Sequence, residues 1–153
     1  MIAIAMNRLI NISAAAVIGA ALFAWAGSSM AHAASKVVAY VDISEQHMEV
    51  LIDGRPTFLW KVSTAGKGYV TPTGAFKPTR LEERWYSRKY DMSPMPYSVF
   101  FKGGYAVHAT NAIKRLGTPA SHGCIRLHPD NAADFYQLVR TFGPSNTSIV
   151  ITE

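Results

Sequence analysis

Between residues 47 and 63 two short runs place apolar residues at every second position. In "HMEVLI", Met48, Val50 and Ile52 fall on one side and His47 and Glu49 on the other. In "FLWKVS", Phe58, Trp60 and Val62 share a side opposite Lys61. A period of two places alternate side chains on opposite faces of an extended chain and is incompatible with a helix. Asp53-Gly54 lies between the two runs, a step suited to the two-residue turn of a hairpin. "KVVAYVD" (36–42) is apolar on both faces and reads as a strand packed on both sides. "VFFKGGYAVHA" and the terminal "SIVIT" also have strand character. The convincing helix begins after residue 128. Pro129 suits its first position, and Asp130 and Asp134 lie towards its positive end. Phe135, Leu138, Val139 and Phe142 form its apolar stripe, and Gly143-Pro144 ends it. The pattern predicts a mostly β domain, a curved sandwich or barrel with one or two short helices.

The first 33 residues do not belong to this pattern. Arg8 is their only charge, and an apolar run follows at 14–26 before the small-residue exit Ala31-His32-Ala33. A short basic flank, an apolar core and such an exit describe a secretory signal peptide. A run of 13 residues falls short of the roughly 20 that an uncleaved membrane anchor needs. Residues 34–153 are then expected to be one domain in an exported protein, with no stable membrane anchor after cleavage. The periplasm is the expected compartment, because no wall-anchoring signal is seen. The net charge of +5 drops by one with loss of Arg8. A basic surplus favours anionic partners in general, but the basic residues are scattered in runs of at most two, and export argues against nucleic acid.

The chain has one cysteine, Cys124, within "SHGCIRL". A single thiol cannot close an internal disulfide, so an exported chain of this kind is stabilised by its core, and the odd thiol is intermolecular or reactive. A cysteine attacks as the thiolate, which a nearby imidazole promotes by taking the proton. His108, His122 and His128 lie within 16 residues of Cys124. His108 follows the strand-like "YAV" and precedes an 11-residue connection, "TNAIKRLGTPA", long enough to bring it beside the thiol. Gly123 permits a left-handed turn, which would let the N–H groups of His122, Gly123 and Cys124 converge on an oxyanion. Arg126 is either an anchor for a substrate carboxylate or a structural ion-pair partner. A buried inert thiol and a zinc site are the competing readings. The second lacks any CxxC or HExxH pattern. The stretch 80–97, with mixed charges, Trp85, Tyr86, Tyr90 and Tyr97, shows no sustained period and reads as a long loop or flap.

"SHGCIRL" together with the upstream "VHAT" resembles the catalytic motif of the YkuD-like L,D-transpeptidases of bacterial cell walls. "STAGKGYVTPTGAFKP", "MPYSVFFKGGYAVHAT" and "LHPDNAADFYQLV" agree, and the resemblance spans about residues 37–152. It implies an L,D-transpeptidase-like, mostly β catalytic domain with the site in a groove under a mobile flap, acting on peptidoglycan stem peptides. By this resemblance Cys124 is the nucleophile and His108 the base, oriented by the backbone carbonyl that follows it. His122, Gly123 and Cys124 supply oxyanion N–H groups, and Ser121 and Arg126 shape or hold the substrate. The acceptor is an amine of a neighbouring stem or of an outer-membrane protein, and no metal or organic cofactor is required. The alternatives are an L,D-carboxypeptidase or hydrolase that uses water, and a non-catalytic wall-binding module. One position departs from the usual pattern: Ala109 stands where many members have glycine after the base, which would strain a positive-φ backbone.

Overall fold

The computed structural model describes residues 36–153, and the signal peptide expected at 1–33 lies outside the described residues. Strand β1 (Val37–Asp42) runs antiparallel to β2 (His47–Ile52), which turns into β3 (Arg55–Lys61). The turn residues Asp53 and Gly54 have φ of +51° and +76°, the two left-handed positions of the tight hairpin turn expected there. Met48, Val50, Trp60 and Val62 are buried on one side as the alternation requires.

After β3 the chain forms β4 (Gly74–Phe76), β5 (Arg80–Glu82), a ribbon of β6 (Tyr86–Ser87) and β7 (Ser93–Pro94), then the hairpin of β8 (Ser98–Lys102) and β9 (Tyr105–Ala109). Strand β10 (Ile125–Leu127), helix α1 (Pro129–Phe142) and β11 (Thr147–Thr152) complete it. The strands build a five-stranded sheet in the order β3-β2-β1-β11-β4 and a four-stranded sheet in the order β10-β9-β8-β5, besides the β6-β7 ribbon. The last strand, β11, inserts parallel to β1 with Val37 opposite Thr147.

The two sheets and α1 enclose one core. Phe135 and Val139 of the helix belong to it with Val37, Val41, Met48, Val107, Ile125, Ile149 and Ile151, all essentially excluded from solvent. At roughly 25 cal/mol per Å² of apolar surface, this burial is the main source of stability in a chain without a disulfide. The helix starts at Pro129, as its sequence signals, but its cap is His128, whose Nδ1 accepts from the Asp130 N–H at 3.4 Å. Gly143, with φ +88°, ends it.

Two expectations require correction. β1 is packed on one face only: Val37, Ala39 and Val41 are buried while Tyr40 is 45% exposed. The core covers only the inner side of the five-stranded sheet, so an apolar outer face need not be a buried one. The 80–97 segment is not one continuous loop, although half of it is turn and bend. It contributes β5 to the four-stranded sheet, with Leu81 opposite Val99, and the β6–β7 ribbon pairs Tyr86 with Pro94. Strands of two or three residues are too short to display a period.

Candidate active site

The site is built where β9 and β10 lie side by side. Parallel neighbours need a crossover connection, and residues 110–124 supply it, including a short 3₁₀ turn at Ile113–Arg115. The resulting register places Arg126 opposite His108. On its other side the motif is held by a second backbone track. Ser63 and Arg126 exchange N–H to carbonyl bonds at 3.0 Å in both directions, and Ser121 N–H donates to the Thr64 carbonyl at 2.8 Å. The residues that the sequence nominated are thus clamped between β9 and residues 63–66.

His108 is 6% exposed, and its Nδ1 lies 2.7 Å from the Ala109 carbonyl oxygen. A carbonyl only accepts, so Nδ1 carries the proton and Nε2 keeps its lone pair. Burial pushes the pKa of this imidazole down to about 4; the Ala109 bond opposes the shift and the Arg126 charge adds to it. At neutral pH the ring is therefore uncharged, the state required of a base. The alanine after the histidine is unstrained: it lies in β9, opposite Leu127, and is not among the positive-φ residues.

Cys124 is half-buried, and its Sγ faces the Gly104 carbonyl at 3.8 Å. Desolvation raises the thiol pKa, while the Ala106 amide and the Arg126 charge pull it back down. The net direction favours the neutral thiol. Gly123 has φ +119°, and a Cβ there would come within 2.5 Å of the Tyr105 ring and 2.6 Å of the Val70 carbonyl oxygen. Both the conformation and the space exclude a side chain.

Two hydroxyls hold this glycine. Ser121 Oγ accepts the Gly123 N–H at 3.0 Å and donates to the Cys124 carbonyl at 2.6 Å. Thr71 Oγ1 donates to the Gly123 carbonyl at 2.9 Å and accepts the Ala65 N–H at 3.0 Å. The Gly123 N–H is therefore engaged with Ser121. This differs from the sequence expectation, in which all three consecutive N–H groups point at one spot.

Arg126 is half-buried and its Nη1 donates to the Ala120 carbonyl at 3.2 Å. The salt bridges among the described residues are Arg80–Glu82 and His128–Asp130, so no carboxylate there neutralises Arg126. His108, Ser121, His122, Cys124 and Arg126 all line one groove of about 290 Å³, roofed by Ser87, Tyr90, Ser93 and Met95 of the 80–97 segment. His122 is exposed and stands at the mouth, where its ring stacks on Tyr90 at 4.3 Å and packs at a tilt of 57° against Tyr69 at 4.4 Å between centroids. Of the other aromatic residues in this segment, Trp85 packs edge-on against Phe100, Tyr97 packs against Tyr136, and Tyr86 is exposed.

The sequence reading had missed Thr71 and Gly104. Thr71 lies in "TPTG", which reads as turn punctuation, and no periodicity links it to a carbonyl 52 residues away.

The YkuD family model, an L,D-transpeptidase catalytic domain, matches residues 36–151. The chain belongs to this family. YqjB of Bacillus subtilis (strain 168), assigned by name to the L,D-transpeptidases, is 29% identical over 129 residues, covering 74% of this chain and 71% of its own. Among solved structures, an L,D-transpeptidase from Mycobacterium smegmatis superposes with a TM-score of 0.68 at 25% identity, over 78% of this chain and 59% of that one. One from Stackebrandtia nassauensis gives 0.67 at 27%, over 77% of this chain and 56% of that one. The chain thus spans less than two thirds of either solved relative. In this YkuD-type domain every nominated site residue lines the groove except Gly123, which forms the turn behind it.

Proposed function

We propose that the protein is a peptidoglycan L,D-transpeptidase that acts through a Cys124 thioester. The observation that carries this is the tautomer of His108: with Nδ1 bound to the Ala109 carbonyl, the basic nitrogen is Nε2, in the groove that also holds the thiol. Nε2 takes the Cys124 proton as sulfur attacks the carbonyl of the third, diamino acid residue of a tetrapeptide stem. The tetrahedral oxyanion accepts hydrogen bonds from the motif's backbone N–H groups. Collapse expels D-alanine, whose amine receives the proton from Nε2, and leaves a thioester. An acceptor amine then attacks the thioester, gives its proton to His108, and releases the Cys124 sulfur, which is reprotonated.

Arg126, a cation with no carboxylate partner among the described residues, is suited to hold a substrate carboxylate. Ser121 shapes the nucleophile turn. The acceptor is an amine on a neighbouring stem, or on an outer-membrane protein. The N-terminal 33 residues act as a signal peptide for export to the periplasm, and mass analysis of the secreted form should give a chain starting at Ala34.

The decisive experiment is intact-mass spectrometry of the protein incubated with a disaccharide-tetrapeptide, beside Cys124→Ala. The expected result is an acyl adduct on the wild type alone, with crosslinked dimer among the products. Tripeptide without dimer would shift the reading to water as acceptor. No adduct and no product would overturn it.

A further inference from the structure

We propose that Thr71 is a positioning residue for the reaction at Cys124: by holding the Gly123 carbonyl it aims the Cys124 N–H at the oxyanion. This rests on the reading of Cys124 as the acylated nucleophile. A threonine hydroxyl has one proton. Because Oγ1 accepts the Ala65 N–H at 3.0 Å, that proton goes to the Gly123 carbonyl at 2.9 Å, and the direction of both bonds is determined. The Gly123–Cys124 peptide is planar and trans. Its C=O and N–H therefore point in opposite directions, and anchoring one sets the other. Thr71 is 4% exposed and is not part of the groove lining, whereas Cys124 is. The carbonyl is thus turned to the buried side and the Cys124 N–H away from it.

The opposite end of Gly123 needs its own anchor, since a glycine with φ +119° has no side chain to hold it. Ser121 Oγ provides it by accepting the Gly123 N–H. That bond removes one of the three candidate oxyanion donors and leaves more of the task to the Cys124 N–H. An oxyanion donor acts through its preset direction. Without the Thr71 hydroxyl the peptide is free to tilt, and the loss falls on the step that develops negative charge on oxygen.

Two reactions of the same thiol separate this role from general support of the loop. Acylation by a disaccharide-tetrapeptide passes through an oxyanion. Alkylation by iodoacetamide forms a C–S bond at a saturated carbon, releases iodide and the thiol proton, and develops no oxyanion. In Thr71→Val, a near match in shape without the hydroxyl, acylation should slow by about 10²-fold, the scale of a misplaced reacting group, while alkylation keeps the wild-type rate. Thr71→Ser, which keeps the hydroxyl, should restore acylation. If Thr71→Val does not fold, the same split is expected in Thr71→Ala. Acylation of Thr71→Val at the wild-type rate, or a matching loss of both reactions, would overturn the assignment while leaving the nucleophile reading intact. Failure of the wild type to acylate would overturn both.

Discussion

The five-stranded sheet is rich in aliphatic residues and the 80–97 segment in charged and aromatic ones, and their structures differ in what each side chain packs against. In the sheet, strands of up to seven residues each place a row of aliphatic side chains into one core, and Val37, Met48, Val50, Ile149 and Ile151 are almost wholly buried. In the 80–97 segment the strands have two or three residues, and of its apolar side chains only Met95 is buried. It is held by a ribbon, by Arg80 stacked between Trp85 and Phe100, and by Tyr90 resting on His122. Asp91 and Met92 at its turn, and Tyr97 at its end, have positive φ, as Gln46 and Asp53 do at the turns of the five-stranded sheet. The comparison teaches that the sheet is held by a continuous aliphatic core, whereas the 80–97 segment is held by a few aromatic and ribbon contacts over the groove lined by His108, Cys124 and Arg126.

Three measurements can break or sharpen that contrast. The largest effect belongs to the core. Phe135→Ala should lower unfolding free energy by about 3–5 kcal/mol, read from denaturant midpoints, because the ring is fully buried among aliphatic neighbours. A loss below about 1 kcal/mol would mean that the core does not anchor the domain as described.

The next effect belongs to the floor of the groove. His108 has a folded pKa near 4 against an ordinary 6.5, so the unfolded chain binds more protons between these values. Its neutral burial contributes fully above pH 6.5 and is lost as the pH falls towards 4, a change of about 3 kcal/mol. His108→Gln should remove this part of the slope, visible as a wild-type stability that falls more steeply than the variant's over that window. Parallel slopes would show that the imidazole is not held neutral by burial.

The smallest effect should come from the roof. Tyr90→Ala removes one exposed-edge stack, a contact worth about 0.5–1.5 kcal/mol, and should leave the unfolding midpoint nearly unchanged. It should also speed proteolysis within 80–97, and acylation by substrate should slow cleavage of the wild type there. Equal cleavage in the free and acylated states would argue against a lid. A large fall in midpoint would make the roof part of the rigid body and remove the contrast.

The sequence by itself determined whatever rests on contacts a few residues apart. The period of two in "HMEVLI" and "FLWKVS", the Asp53-Gly54 turn, and the Pro129 and Gly143 ends of the helix follow from local backbone preferences. The roles proposed for Cys124, His108 and Gly123 were also legible, because the chemistry of thiol, imidazole and a side-chain-free turn is carried by residue type and order. Only the tertiary structure decided the rest. It put β11 beside β1 across some 110 residues, left Tyr40 on an uncovered face, and paired Leu81 with Val99 in a stretch too short to show a period. It relieved the expected strain at Ala109 by placing that residue in a strand, engaged the Gly123 N–H with Ser121, and brought Thr71 to the carbonyl before the nucleophile. Each of these depends on which of many distant partners buries the most apolar surface with every buried hydrogen bond satisfied. That balance is set over the whole chain at once and leaves no local trace in the order of residues.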